Sequence, residues 1–444
     1  MSETAVEEKP LDVAIVGGGI TGVTLALGLL HRGIKFKIYE RADSLREIGA
    51  GIAFTPNAER AMQKLDPRIH QAFRKVATPN IEDYFVWVDG YHYNRSDPDN
   101  TNEELVSKLY VGERGFEGCR RQDFIEELVK HIPKEDVKYG KNLASVTDRG
   151  DGEKIVLGFR DGTTEEADVV IGCDGIRSKL RRLMFGEDNP ASRPSYTHKF
   201  AFRSLVPTNK ARELLGDYKV ATRLIHVGPN AHAITFPVAM GALINLVAFV
   251  TDPKDWAAED GKFTARTNKS EAVEYFAAFG PAVRAIMSLL PDELDKWALF
   301  DQRDHPVPTY VRGRLCLAGD AAHASSPHHG AGAGSGVEDA LVLAELIGTI
   351  SEAVARGTCT GSRRAAMVRA ALETYNAVRY ERTQWIVDSS RVAGEMFEWQ
   401  HASCGSDPEK FDREIAWRSH KIWDYDVDEM VCNAHSQFSS SLEA

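Results

Sequence analysis

Three glycine-rich islands pair short apolar runs with acids: Asp12 to Gly22 (DVAIVGGGITG) with Glu40 downstream, Asp168 to Arg182 (DVVIGCDGIRSKLRR), and Leu315 to Gly336 (LCLAGDAAHASSPHHGAGAGSG). In each, an apolar strand runs into a turn of Gly and Asp. Strand ends of this kind offer backbone N–H groups and a carboxylate to a nucleotide. One island points to a nucleotide; three point to a large cofactor held along its length.

The first island has the fullest local context. Residues 11–16 suit a buried parallel strand, Gly17, Gly19 and Gly22 fit G-x-G-x-x-G, and residues 20–30 continue as an apolar helix. Gly17 permits the tight turn, Gly19 lets a pyrophosphate approach the backbone, and Gly22 lets the helix pack on the strand. The helix N-terminus then faces the phosphates. Residues 36–39 read as the second strand, ending at Glu40, eighteen residues after Gly22 and about where a ribose hydroxyl acceptor belongs. A glycine-rich turn without a ligand is the other reading of such a motif standing alone.

In the third island Asp320 follows the apolar run 315–318, where a carboxylate either accepts hydrogen bonds from ligand hydroxyls or caps a helix. Pro327-His328-His329-Gly330-Ala331-Gly332 then offers amides almost free of side chains at the start of a helix expected over 337–354. Such an N-terminus stabilises negative charge. No second G-x-G-x-x-G follows a strand, so a second dinucleotide domain is not expected, and the absence of Cys-x-x-Cys excludes a dithiol centre.

Taken together and in this order, the motifs resemble those of the FAD-dependent aromatic hydroxylases, the single-component flavoprotein monooxygenases that include salicylate and para-hydroxybenzoate hydroxylases. Cys173-Asp174-Gly175 with Arg177, Ser178 and Arg181 is similar to the family's Asp-Gly motif, and Gly319-Asp320-Ala321-Ala322-His323 to its Gly-Asp motif; the likeness covers roughly residues 11–346. The resemblance implies an α/β, para-hydroxybenzoate-hydroxylase-like fold: a Rossmann-type FAD domain, an inserted antiparallel substrate sheet and C-terminal helices. It implies bound FAD, with Asp174 touching FAD and the nicotinamide nucleotide, Asp320 on the ribityl chain, and Gly330, Ala331 and Gly332 beside the isoalloxazine. Arg121 matches the arginine that leans on the cofactor, with Arg120 the other candidate and a solvated helix-start arginine the plain alternative. NADH or NADPH and O2 are the implied co-substrates.

Organisation along the chain is interleaved. Residues 1–185 are expected to form the first part of the FAD domain, with a pocket-covering segment near 76–111; residues 186–295 a substrate sheet and helix; 296–360 the second part; and 361–444 a helical region. Within the insert, 198–205, 221–227, 231–236 and 242–250 are strand-like, rich in β-branched and aromatic residues. Residues 264–290 and 365–390 read as helices, and 408–444 as helix or loop.

Substrate chemistry falls to the insert and the flavin loop. Arg203 is a cation on an apolar strand, so it either faces inward with an anionic partner or outward to solvent. In the resembled family an Arg here reaches the phenolate or carboxylate of the substrate. His328, beside Pro327, is either a near-neutral imidazole that takes the phenolic proton or a structural histidine; His323 reads as structural. The implied reaction is monooxygenation of a phenolic acid through a flavin C4a-hydroperoxide. From Arg46-Glu47-Ile48-Gly49-Ala50-Gly51 to Arg418-Ser419-His420-Lys421-Ile422-Trp423 the chain is similar to fungal salicylate hydroxylases and to the dearomatising hydroxylases of polyketide pathways. The second group holds the phenolate with a pocket Tyr. The matching positions here are Phe116 and Phe236, which cannot donate that hydrogen bond, so decarboxylative ring hydroxylation of a salicylate-type acid is the expectation and dearomatisation of a resorcinol aldehyde or ketone the alternative. Tyr93, Tyr110 and Tyr196 are candidate substitutes for the missing hydroxyl. An inactive FAD-binding scaffold is the non-enzyme alternative.

Composition bounds the rest. At 444 residues the chain exceeds one core, and its formal net charge of −11 argues against nucleic acid as a partner. Six scattered cysteines fit reduced thiols, and neither a membrane span nor a targeting segment stands out, so a cytoplasmic monomer or homodimer without metal is expected.

Overall fold

Val13–Val16, apolar at every position and buried, is the centre of a six-stranded sheet. It pairs in parallel with Phe36–Tyr39 on one side and Val169–Gly172 on the other. Leu315–Leu317 extends the sheet in parallel beyond Val169–Gly172, and the order ends with Val311–Arg312 at one edge and Val137–Lys138 at the other. Parallel strands buried on both faces read as continuous apolar runs, which is why these were visible in the sequence. The coordinates, a computed structural model, describe residues 10–45, 51–97, 99–257, 262–359 and 361–443; Arg46 to Ala50 of the motif noted above lie outside them.

The helices Ile20–His31 and Gly332–Ala355 pack on each other and bury their apolar sides in the core that holds this sheet. A separate antiparallel sheet of Leu143–Thr147, Ile155–Phe159 and Thr164–Ala167 packs nearby through Tyr39 and Phe159, whose ring centroids lie 5.1 Å apart.

The second large sheet has eight strands in the order Thr264–Asn268, Glu293–Asp301, Ser195–Pro207, Leu243–Thr251, Ala231–Val238, Leu224–Val227, Tyr84–Asp89 and Leu105–Tyr110. All neighbours are antiparallel except Leu224–Val227 and Tyr84–Asp89, which run parallel. The segment expected to cover a pocket near 76–111 thus supplies two strands of this sheet. A continuous helix over 264–290 is not formed. Thr264–Asn268 alternates its side chains and adds to the sheet edge, and two short helices follow, Lys269–Tyr275 and Pro281–Ser288, separated by Gly280-Pro281. Proline at the first helical position starts a helix but cannot continue one.

Strict alternation gives this sheet two faces. Phe200, Phe202, Ala233, Leu246 and Ala248 pack under the two short helices with Phe276, Phe279 and Ile286. Ala201, Val247 and Phe249 form a cluster on the opposite face, against which Ile234 packs. The chain ends in three helices, Gly361–Phe397, Pro408–Trp423 and Val427–Glu443; the tail beyond 408 is therefore helical.

Candidate active site

The three islands meet at the carboxyl ends of adjacent strands and interlock through their glycines. Gly17 has φ +104°, and a Cβ there would lie 2.4 Å from the carbonyl oxygen of Cys173, so the first island fits against the second only without a side chain. Gly19 is the N-cap of the first helix, and a Cβ on Gly22 would strike the Gly17 carbonyl at 2.1 Å. Gly319 has φ +60°, and a Cβ on it would meet Thr21 Oγ1 at 2.4 Å; one on Gly336 would meet the same atom at 2.2 Å. Thr21 of the first island therefore packs into the third.

Arg181 closes the arrangement. It is wholly buried and donates to carbonyl oxygens of Ile176 (2.5 Å) and Ala321 (2.8 Å), tying the second island to the third, with a longer bond to Gln302 Oε1 at 3.4 Å. Burial pulls its guanidinium down to about 10, although the charges of Asp174 and Asp320 act the other way. An arginine satisfied by carbonyls is a rigid strut, because each N–H has a fixed direction.

The acids are disposed as a nucleotide requires. Glu40 Oε2 accepts from the Gly18 amide at 2.7 Å and Oε1 from Ala42 at 2.8 Å, which fixes the carboxylate at the end of the second strand with lone pairs to spare. Asp174 Oδ2 accepts from the Lys179 and Leu180 amides at 2.7 and 3.1 Å, while Oδ1 is buried without a partner; burial raises this carboxyl above its usual range. Asp320 is exposed at the start of the short helix Asp320–His323. Pro327–His329 forms a single tight turn, Gly330 is left-handed, Ala331 is the N-cap and Gly332 the first residue of the long helix, five positions earlier than 337. A buried unpartnered carboxylate oxygen, an exposed acid and two helix N-termini around one cradle fit FAD. His323 instead bonds Asp339 at 2.6 Å, and Asp339 also binds Arg379 and the Gly319 amide, a buried structural network.

Facing the cradle is the Ala201, Val247 and Phe249 side of the large sheet. Arg203 lies on it, cross-strand from Val247, with its guanidinium 5.6 Å from the Trp297 ring and its Nε buried without a hydrogen-bond partner. Burial, and then the nearby charge of Arg121, lower its proton affinity. Two guanidinium groups that sense each other across a buried space concentrate positive potential there. Arg120, the rival candidate, ladders with Gly51 and pairs with Asp123 at 3.4 Å.

Phe116 has a left-handed backbone, φ +57°, rare for an aromatic residue. Arg223, fully buried, donates to its carbonyl oxygen and lies 5.1 Å from its ring, and a Cβ on Gly330 would meet that ring at 2.8 Å. Phe116 thus presses on the flavin loop. Phe236 presses on Gly51 and Gly118, where added Cβ atoms would lie 2.9 and 2.7 Å from its ring.

His328 is buried, its ring centroid 5.3 Å from those of His232 and Phe249, and a Cβ on Gly394 would touch its Nδ1 at 2.8 Å. Neither ring nitrogen has a partner. Burial, reinforced by His232, pushes this imidazole well below its usual value. Burial thus favours the neutral form of the ring over the charged one. Behind it, His232 stacks on Phe249 at 4.5 Å and bonds Glu398 Oε1 at 3.0 Å, while Lys199 and Thr251 donate to the other oxygen of Glu398. Burial alone would raise the Glu398 carboxyl, yet the His232 hydrogen bond and the Lys199 charge hold it down at about 2.

Lys199, Arg223 and His232 escaped notice in the sequence although each is a basic side chain on an apolar strand, the signal that singled out Arg203. Asn245 and Glu398 gave no such signal. The first is an ordinary polar residue within a strand, and the second lies in the chain 166 residues from His232.

A Rossmann-type sheet with cofactor loops at three strand ends, faced by a second sheet carrying a half-buried arginine, defines a flavoprotein of the aromatic-hydroxylase fold. The FAD binding domain family matches residues 10–390, and the chain belongs to that family. It is 58% identical over 438 residues to the FAD-dependent monooxygenase pigN of Monascus ruber, covering 98% of this chain and 99% of that one. It is 44% identical to the salicylate hydroxylase asL1 of Sarocladium schorii, covering 97% and 92%. A solved salicylate hydroxylase substrate complex superposes with a TM-score of 0.81 at 33% identity, covering 96% and 98%. The protein is an enzyme, an FAD-dependent monooxygenase.

Proposed function

We propose that the enzyme hydroxylates a small phenolic acid of the salicylate type, with a carboxylate beside the hydroxyl, by ring hydroxylation to a catechol with loss of CO2. The observation that carries this reading is Arg203: a half-buried arginine with a buried, unpartnered Nε, on the sheet face opposite the cofactor cradle and within electrostatic reach of Arg121. A phenolate or carboxylate compensates such a cation. When bound and reduced by NADH or NADPH, FAD would activate O2, one atom of which goes to the ring while the other leaves as water.

The chain's own part is to position and to exclude water. Arg203 holds the anionic oxygen and stabilises the phenolate, which raises electron density on the ring. Phe116, Phe236, Phe249 and Trp297 supply apolar walls, and Pro327 and His328 bring a neutral surface to the flavin loop. His328 shapes the pocket as a neutral imidazole. The N-terminus of Gly332–Ala355 stabilises negative charge developing on the reduced cofactor.

A second reading is dearomatising hydroxylation of a resorcinol aldehyde or ketone. The specific observation in its favour is a 53% identical relative, the dual trans-enoyl reductase/FAD-dependent monooxygenase tazHJ of Aspergillus terreus, in which such a monooxygenase is joined to a reductase of carbon–carbon double bonds.

The test is stopped-flow absorbance of the yellow protein, anaerobic and then aerobic, with NADH or NADPH, salicylate and 2,4-dihydroxyacetophenone, followed by product mass. Faster flavin reduction with salicylate and a catechol product are the expected result. Stimulation by the ketone alone, with a product heavier by one oxygen, selects the second reading. No stimulation by either phenol overturns both.

A further inference from the structure

Asn245 is 1% exposed on Leu243–Thr251, cross-strand from Phe236 on one side and from Leu205 on the other. Its Oδ1 accepts from the Gly51 amide at 2.8 Å. Because a backbone amide only donates, that contact fixes the side chain: the oxygen faces Gly51 and the NH2 group faces away. Nδ2 is buried and has no hydrogen-bond partner. A buried donor without an acceptor opposes folding, and an apolar side chain beside Phe236 and Leu205 would not carry that cost.

The position gives the donor a use. Arg203 is cross-strand from Val247, so Asn245, two residues along the same strand, shares its face as a diagonal neighbour. Such neighbours lie about 7–8 Å apart, within reach of a single aromatic ligand. Phe236, the adjacent cross-strand residue, stands where a hydrogen-bonding side chain was expected and has none to offer. The tyrosines that were candidates to replace it are engaged elsewhere: Tyr196 donates to Asp252 at 3.2 Å, Tyr110 is 54% exposed against Tyr84, and Tyr93 lies under Arg284.

We propose that the Asn245 amide is the second donor to the substrate: Arg203 holds the phenolic oxygen and Asn245 Nδ2–H holds the carbonyl or carboxylate oxygen ortho to it. The pair selects phenols that bear an adjacent C=O over phenols that lack one. This rests on the aromatic-hydroxylase reading of the site, and it holds for either substrate class named there.

The test is a binding titration on the FAD-loaded protein, read by perturbation of flavin absorbance, with two matched pairs: salicylate against phenol, and 2,4-dihydroxyacetophenone against resorcinol. Within each pair the ratio of Kd values reports the contribution of the ortho C=O alone, since the phenolic oxygen is common. Asn245→Asp keeps an oxygen for the Gly51 amide and removes the donor; Asn245→Leu is a neutral second variant of similar size without a donor, should the first not fold. The wild type is expected to prefer the C=O-bearing partner. Both variants should lose about tenfold or more of that preference, with FAD content unchanged. A preference unchanged within about twofold in a folded variant overturns the proposal, as does loss of FAD without loss of preference, which would assign Nδ2 to the cofactor. If the wild type binds none of the four phenols, the proposed function fails and this inference fails with it.

Discussion

Arg203 and His328 show how burial decides what a basic side chain does. Arg203 keeps its charge, since even a lowered guanidinium stays protonated at pH 7, and so it remains a binding group. Replacing it with Ala should raise the Kd for a phenolic acid about 10- to 100-fold, the scale of a lost charge-assisted hydrogen bond, while FAD stays bound. Unchanged ligand affinity by flavin perturbation would remove Arg203 from the substrate site. His328 loses its charge instead, because its ring packs against His232, Phe249 and Gly394. The kcat profile between pH 6 and 9 should therefore carry no inflection from His328. His328→Gln should lower kcat without changing the profile's shape, and the disappearance of an inflection near 6.5 in that variant would restore the imidazole as a base. The sequence made both residues legible as positions, Arg203 by a charge on an apolar strand and His328 by its glycine-rich loop. The basicity of His328 was not legible, because it is set by side chains from three other elements.

The cofactor cradle is built by elements held to one another more than by any loop alone. Each island is readable in the chain because a parallel strand leads into it, and Gly17, Gly19, Gly22, Glu40, Asp174 and Asp320 all fall at strand or helix ends as the spacing requires. What spacing could not give is the contact between islands: Thr21 against Gly319 and Gly336, and Arg181 reaching the carbonyl of Ala321. Asp320→Ala should weaken FAD binding about tenfold or more by removing an acceptor at the cradle. Arg181→Leu should weaken it as well, through the loosened 319–321 turn, and should also lower the melting temperature of the apoprotein, which Asp320→Ala should leave nearly unchanged. Calorimetry on the two apo variants, with FAD titrations, separates them; equal melting temperatures would show that Arg181 does not brace the islands. The misread stretch 264–290 is the opposite case. Its alternating Thr264–Asn268 found a strand partner in Glu293–Asp301, and a five-residue pattern cannot announce whether an edge is waiting for it.

At the scale of the molecule, buried ionisable groups join distant segments. Glu398, at the end of the long helix, bonds His232 and Lys199 of the substrate sheet, and Arg379 binds Glu338 and Asp339 of the helix that starts at the flavin loop. None of these pairings was legible, because partners so far apart in sequence meet only once the sheets are docked. They make stability depend on pH in a definite direction. Burial, aided by the charge of Arg418, depresses His329 to about 3 from its usual 6.5, and His328 and His232 are also depressed. The unfolded chain therefore binds protons that the folded chain refuses once the pH drops below about 6.5. The resulting loss is about 1.4 kcal/mol per pH unit for each such histidine, until its folded value is reached. Glu338 and Glu398, both held at about 2, add their own loss only below about 4.5, where the unfolded carboxylates begin to protonate. Unfolding free energy should thus be flat between about pH 7 and 8, above which the unfolded chain begins to lose protons that the buried thiols of Cys119, Cys173 and Cys316 keep, and should begin to fall on the acid side between pH 6.5 and 5, before any carboxylate contributes. The His329 side chain bonds Ser389 of the long C-terminal helix at 3.0 Å, so His329→Asn isolates the effect. The variant is expected to be less stable at pH 7.5 but to lose less on acidification to pH 5, with a slope smaller by about one proton. Denaturant unfolding at several pH values measures that slope, and equal slopes for variant and wild type would mean that His329 titrates alike in both states.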